Sequence, residues 1–200
     1  MAQDDAADPA RKTLLQDNAR LSAQVQLLQR VLHLFGAPDD FDGAFEGLMD
    51  AAMDFFGAQS GALYMFDGDH QELYFAAARG PKAQDVLALD ITIKPGQGIA
   101  GNAFLHQEVI ALSDAHKDAR FAREVSDAVG YEVRSMLTAP IVCDGESIGA
   151  LQVINKRGGS TFAQDEVEAM RLLGRYAGGL FGLGWQLQAL REASQGGGAA

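Results

Sequence analysis

SMLTAPIVCDGESIGALQVIN, residues 135–155, reads as two strands, Ser135 to Cys143 and Ser147 to Asn155, folded back on each other at Asp144-Gly145-Glu146. Asp-Gly is the chemistry of a tight hairpin turn, because glycine supplies the positive φ such turns require. An earlier segment repeats the arrangement: Ala62 to Phe66, a turn at Asp67-Gly68-Asp69-His70, then Glu72 to Ala77. Hairpins pair strands antiparallel, so the sheet is expected to be antiparallel, with its helices set apart in an α+β layout. Further strands are expected at Ile91 to Ile93 and Val109 to Leu112, separated by a short helix around Ala100 to His106.

Helical patterns lie outside the strands. Leu14, Leu21, Leu28 and Phe35 recur every seven residues, with Asn18, Val25 and Leu32 between them, which is a short a/d seam. Gly36, Pro38 and Asp39-Asp40 end that helix and offer a cap for a second one, whose Phe41, Phe45, Leu48, Met49, Ala52, Met53 and Phe56 share an apolar face expected in the core. The last helix runs from Gln164 to about Glu192, with Met170, Leu173, Ala177, Leu180, Gly184 and Leu187 forming a second heptad-like stripe. Gly178, Gly179, Gly182 and Gly184 each weaken it by up to about 1 kcal/mol relative to Ala, so close approach of another helix is expected there. The chain thus divides into a disordered lead (1–11), a coiled-coil-like helix (12–36), a domain (38–180), a helical extension (181–193) and a flexible tail (194–200). The two stripes predict a homodimer joined through its terminal helices.

The 200 residues leave room for one domain with its own core. At 48% hydrophobic and 22% charged the composition is that of a folded globular protein. Twenty-seven acidic against sixteen basic residues give a formal charge of -11, which repels phosphate backbones and anionic headgroups and sets aside nucleic acid and membranes as partners. No apolar run nears the roughly 20 residues of a membrane span, and the N-terminus is acidic where a signal peptide is basic, so a cytoplasmic protein is expected. The single cysteine, Cys143, excludes an internal disulfide, a zinc site of several thiolates and two-thiol chemistry within one chain.

Four ordered blocks carry a family likeness: Gly96-Gln97-Gly98-Ile99-Ala100-Gly101; Leu112-Ser113-Asp114-Ala115-His116-Lys117-Asp118-Ala119-Arg120-Phe121; Gly130-Tyr131-Glu132-Val133-Arg134-Ser135-Met136-Leu137; and Pro140-Ile141 followed by Ile148 to Lys156. Together they resemble GAF domains of the phosphodiesterase and adenylyl-cyclase type, over about residues 38 to 180. The resemblance implies a GAF/PAS-like fold in α/β/α layers: a six-stranded antiparallel sheet, long N- and C-terminal helices, a ligand pocket on one face and frequent dimerisation through the terminal helices. It further implies ligand-binding positions at Arg79, Gly98, Ile99, Ala100, Ser113, Asp114, Ala115, Phe121, Ala122, Val125, Val129 and Val133. The family's Asn-Lys…Phe…Asp-Glu motif is partial here, with Asn155-Lys156 and Phe162 present but Asp165-Glu166 one residue early. By resemblance Lys156 forms a supporting salt bridge with Asp165 or Glu166, outside the pocket.

The resemblance implies cyclic nucleotides less clearly. Members that bind them carry Phe-Asp where this chain has Ala78-Arg79, and an aromatic, an Asp and two Thr where it has Ala122, Ser126, Val129 and Val133. Each missing base contact costs about 1–3 kcal/mol. Arg79 either pairs with an anionic group, if it points inward, or lies exposed.

Gly96 to Gly101 also satisfies G-x-G-x-x-G, but Pro95 interrupts the strand before it and too few residues follow for a crossover helix. Asp114, His116 and Asp118 lack a fourth metal ligand, so no metal site is expected. With no catalytic arrangement and no cofactor motif, the expectation is a non-enzymatic sensor that binds a small molecule or partner protein and acts on a signalling protein in trans. Its alternatives are a cyclic-nucleotide regulator and, further off, an enzyme of the methionine-sulfoxide-reductase sort, whose chemistry resembles a multi-cysteine mechanism.

Overall fold

In the computed structural model, which describes residues 9–34 and 41–196, the two hairpins supply the middle of a six-stranded antiparallel sheet. Strands β1 (Ala58–Asp67) and β2 (Glu72–Arg79) form the first hairpin, and β5 (Met136–Cys143) and β6 (Glu146–Lys156) the second. With β3 (Thr92–Ile93) and β4 (Ile110–Leu112) at the edges, the strand order is β3-β2-β1-β6-β5-β4. Asp144 and Gly145 both take positive φ, 49° and 86°, the geometry that matches a two-residue turn to the strand twist. Pro140, which pairs with Ala150 of β6, is tolerated in β5 because β4 pairs only with Met136 to Thr138, leaving no ladder to break on that side.

Helices cover both faces. Helices α1 (Pro9–Leu34), α2 (Phe41–Phe56) and α6 (Gln164–Gly196) lie on one face; α3 (Ala83–Leu87), α4 (Gly98–His106) and α5 (Arg123–Ala128) lie over the other. Side chains divide by strand alternation. Leu63, Met65, Leu137, Ala139, Ile141, Leu151 and Val153 join the core under α2 and α6, while Ala62, Tyr64, Ala150 and Met136 face α4. The Phe45 and Phe181 rings meet edge to face at 4.9 Å, tying α2 to α6.

Three expectations change. Helix α1 begins at Pro9, inside the segment expected to be a disordered lead; proline suits a first helical turn because its missing N–H has no partner there in any case. At the other end α6 continues to Gly196, past the expected start of a flexible tail at Ser194. The stripe predicted on α6 is largely internal: Met170, Leu173 and Ala177 are buried against the chain's own sheet. Leu187 of that stripe is exposed, and the other apolar residues α6 exposes, Leu172, Tyr176, Leu183, Trp185 and Leu190, lie outside it.

The α6 glycines serve approach to a strand. A Cβ on Gly174 would strike the Pro140 carbonyl, on Gly178 the Val142 backbone, and on Gly182 the Cys143 Sγ, whereas Gly179 faces open space. On α1, by contrast, Leu14, Leu21, Val25 and Leu32 are all more than half exposed, and only Leu27 and Val31 are buried. Residues 1–8, the helix break at 35–40 with Phe35, and residues 197–200 lie outside the described residues.

Candidate functional site

On the α4 side of the sheet the strands do not meet helices directly along their whole length. Between them lies a cavity of about 120 Å³, roughly ten times what one water needs. Its floor is Ala62 and Tyr64 of β1, Phe75 and Ala78 of β2, and Gln152 and Ile154 of β6. Its roof is the first turn of α4, Gly98 to Ala100, with Phe121, Ala122, Val125, Ser126 and Val129 from the α5 region. Tyr131, Val133 and Met136 close one side, and Lys82, Ala83 and Val86 of the α3 segment close the other.

Nine of the predicted ligand-binding positions line this space: Arg79, Gly98, Ile99, Ala100, Phe121, Ala122, Val125, Val129 and Val133. Ser113, Asp114 and Ala115 do not. Asp114 accepts the His116 N–H at the start of the 3-10 turn Ala115–Lys117 and pairs with Lys117 at 3.1 Å, while the Ala115 N–H donates to the Arg134 carbonyl. Asp118 is held by Arg120, which lowers its pKa chiefly through their side-chain hydrogen bond. The Asp114 and Asp118 side chains are thus spent on loop structure, the His116 ring lies edge-on to Phe121, and among the described residues no group of three His, Cys, Asp or Glu converges as for a metal.

Arg79 illustrates what strand counting misses. Leu63 pairs with Ala77 but Tyr64 pairs with Phe75, so Ala76 is an extra residue that shifts the alternation by one. Phe75 therefore faces the cavity while Ala77 joins the α2 core. Arg79, in step with Ala77, turns its guanidinium to α2, where it pairs with Glu46 at 2.6 Å and Asp50 at 3.1 Å. It is neither the exposed nor the ligand-paired arginine that the sequence left open.

Several cavity residues have no counterpart among the predicted positions. Ser60 Oγ donates to the Tyr131 hydroxyl at 2.6 Å, locking β1 to the loop after α5. Gln152, almost fully buried, donates from Nε2 to Thr138 Oγ1 at 2.8 Å. The Tyr64 ring leans on Phe75 with centroids 4.4 Å apart, and burial raises its pKa, so it stays a hydroxyl donor at neutral pH. That hydroxyl has no hydrogen-bond partner among the described residues.

The Asn155-Lys156 segment lies beside the cavity as support. Asn155, at φ 58°, accepts the Arg134 N–H at 2.7 Å and donates to the Glu132 carbonyl at 2.7 Å, pinning the loop that leads into β5. Lys156 pairs with Glu166 at 2.5 Å, and Glu166 reaches back to the Ala163 N–H at the head of α6. Asp165 pairs instead with Arg20 of α1 at 3.5 Å.

The GAF domain family model matches residues 40–179, more than two thirds of the chain. The chain belongs to the GAF domain family, a family of regulatory and sensory modules. This GAF domain is 35% identical over 85 residues to the dual 3',5'-cyclic-AMP and -GMP phosphodiesterase 11A of Takifugu rubripes, which is 42% of this chain and 9% of that protein. The chain spans about a tenth of the length of the curated relatives it matches. Among solved structures, it superposes with a TM-score of 0.72 and 22% identity on the GAF domain from a phosphoenolpyruvate-protein phosphotransferase of Coxiella burnetii, covering 85% of this chain and 96% of that one. It also shares its fold with the free methionine-R-sulfoxide reductase of Neisseria meningitidis, at a TM-score of 0.64, 17% identity and coverage of 82% and 93%. No helix among the described residues is long and apolar enough to cross a membrane.

Proposed function

We propose that this GAF domain is a cytoplasmic, non-enzymatic sensor: it binds a small molecule in the cavity under α4 and passes its occupancy to a partner protein through the terminal helices of a homodimer. The observation that carries the reading is the cavity itself, a mostly apolar space with a few placed polar groups, which is how small-molecule sites are built. A line of contacts leads away from it. Arg79 joins the cavity wall to α2, Arg30 of α1 pairs with Asp54 of α2 at 3.1 Å, and Arg20 of α1 pairs with Asp165 of α6. Each exposed pair contributes little stability, so their part is to set relative orientation.

The exposed stripes on α1 and α6 are the surfaces offered for pairing. Light scattering on the full chain at tens of micromolar tests this: the expected mass is twice that of one chain, and Leu21→Glu with Val25→Glu is expected to halve it while the monomer still unfolds cooperatively. A monomeric wild type would overturn the pairing.

Against an enzyme of the methionine-sulfoxide-reductase sort, the chain's one thiol, Cys143, lies against Gly182 of α6 and not at the cavity. A cyclic-nucleotide regulator is the second reading. It is supported by the phosphodiesterase relative and by the first turn of α4, whose N–H groups suit a phosphate. Ligand at 100 times its Kd adds about 2.7 kcal/mol of stability, so cAMP or cGMP at millimolar concentration is expected to raise the melting temperature only if this second reading holds.

A further inference from the structure

The chemistry of the cavity wall narrows the class of ligand, an inference that rests on the ligand-binding reading above. The two cationic residues at the rim are already in ion pairs, Arg79 with Glu46 and Asp50, and Lys82 with Asp85 at 2.8 Å. The walls formed by Phe75, Phe121, Val125, Val129 and Ile154 have no group to pair with a base or sugar. A dianion would therefore meet no free counter-charge, and the polar side chains of the wall are already engaged with protein groups, Ser60 with Tyr131, Ser126 with the Arg123 carbonyl and Gln152 with Thr138.

Two sets of donors on the wall make no hydrogen bond at all among the described residues. Tyr64 is only 8% exposed, yet its hydroxyl lacks a partner and opens onto the cavity. The N–H groups of Gly98, Ile99 and Ala100 head the nine-residue helix α4, and the Gln97 side chain does not cap them because it accepts the Lys94 N–H instead. Tyr64 and Ala100 belong to one buried cluster, so the phenol and the helix end share one region of the cavity. Both call for an acceptor, and the helix end favours one bearing negative charge.

We propose that the cavity takes a compact apolar carboxylate, its ring or branched chain lying against Phe75 and Val129 and its carboxylate on the Tyr64 hydroxyl and the Ile99–Ala100 amides.

Calorimetric titration of the full chain with benzoate, benzamide, cAMP and cGMP tests this. Benzoate is expected to bind once per chain and several-fold more tightly than benzamide. Tyr64→Phe, which removes the hydroxyl alone, is expected to raise the benzoate Kd about ten- to hundredfold while thermal unfolding stays near wild type. Val125→Trp, which fills the cavity from a half-buried position, is expected to abolish binding. Absent benzoate binding, equal affinity for benzamide, or benzoate binding unaffected by both variants would overturn the proposal. Binding of cAMP or cGMP in preference to benzoate, or a co-purifying molecule of another class, would overturn the carboxylate yet leave the sensor standing. An empty protein that binds no probe would overturn both.

Discussion

Replacing Gly178 by Ala and Gly179 by Ala on neighbouring positions of α6 is expected to move stability in opposite directions. Both changes gain about 1 kcal/mol of helix propensity, because alanine loses less backbone entropy than glycine on folding. At Gly179 nothing lies within 4 Å of the added Cβ, so that gain stands. At Gly178 the three nearest atoms are the N, C and O of Val142, all backbone of β5 and all closer than a real Cβ can sit. Either α6 lifts from the sheet or β5 shifts, and overpacking of this kind costs about 1–3 kcal/mol, more where a strand must move. Gly178→Ala is therefore expected to be less stable than Gly179→Ala by about 1–3 kcal/mol. In a chain of this size that is a gap of about 2–12 °C in melting temperature, with Gly179→Ala at or above wild type. Urea unfolding at constant m-value measures the difference directly. Equal stabilisation by both alanines would refute the close packing of α6 on β5 and restore a helix–helix role for these glycines.

Other consequences are as specific. Glu166→Ala removes both the Lys156 partner and the reach back to the Ala163 N–H, and is expected to cost about 1–2 kcal/mol in urea unfolding, whereas Asp165→Ala, which loses only the exposed Arg20 pair, is expected to cost little. His70, hydrogen-bonded to Asp67 at 2.7 Å, is raised above 6.5 by that bond, and Asp67 is lowered below 3.8 by the same bond. The histidine's share of turn stability is thus full below pH 6.5 and fades as pH rises through its raised value. The aspartate's share is full above pH 3.8 and fades as pH falls through its lowered one. NMR titration is expected to place His70 above 6.5, returning toward it in Asp67→Asn; an unshifted wild-type His70 would contradict the pair. Burial, followed by the Asp144 charge, raises the Cys143 thiol, so iodoacetamide at neutral pH is expected to label it far more slowly in the native chain than in urea.

Alternation and turn chemistry carried the sheet: the strands read from Ser135 to Asn155 lie within a residue of those in the structure, because both faces of that hairpin are buried and leave little freedom of register. Helix α3 left no trace in the pattern, since Ala83 to Leu87 bury no side chain and so show no periodicity. The bulge at Ala76 was hidden because one unpaired residue changes no composition, yet it decides where Arg79 points. Of the cavity, the positions on α4 and around α5 were legible through family resemblance, while Tyr64 and Gln152 passed as ordinary strand residues. One signal was there to find: Gln152 stands between Leu151 and Val153 in an otherwise apolar strand, and its side chain faces neither water nor the α6 core. Of the α6 glycines expected to mark close approach of a helix, Gly178 and Gly182 do lie against a neighbour, but it is strand β5, and Gly179 meets nothing within 4 Å; spacing alone does not tell these cases apart.

Amide hydrogen exchange on the full chain, purified with whatever it carries and again after mild stripping of small molecules, tests the sensor most directly. The account predicts that stripping speeds exchange around Tyr64, Ile99, Ala100 and Val129, and also along α1 and the C-terminal half of α6. Protection that is the same in both preparations, or a change confined to the cavity with the terminal helices unmoved, would contradict it.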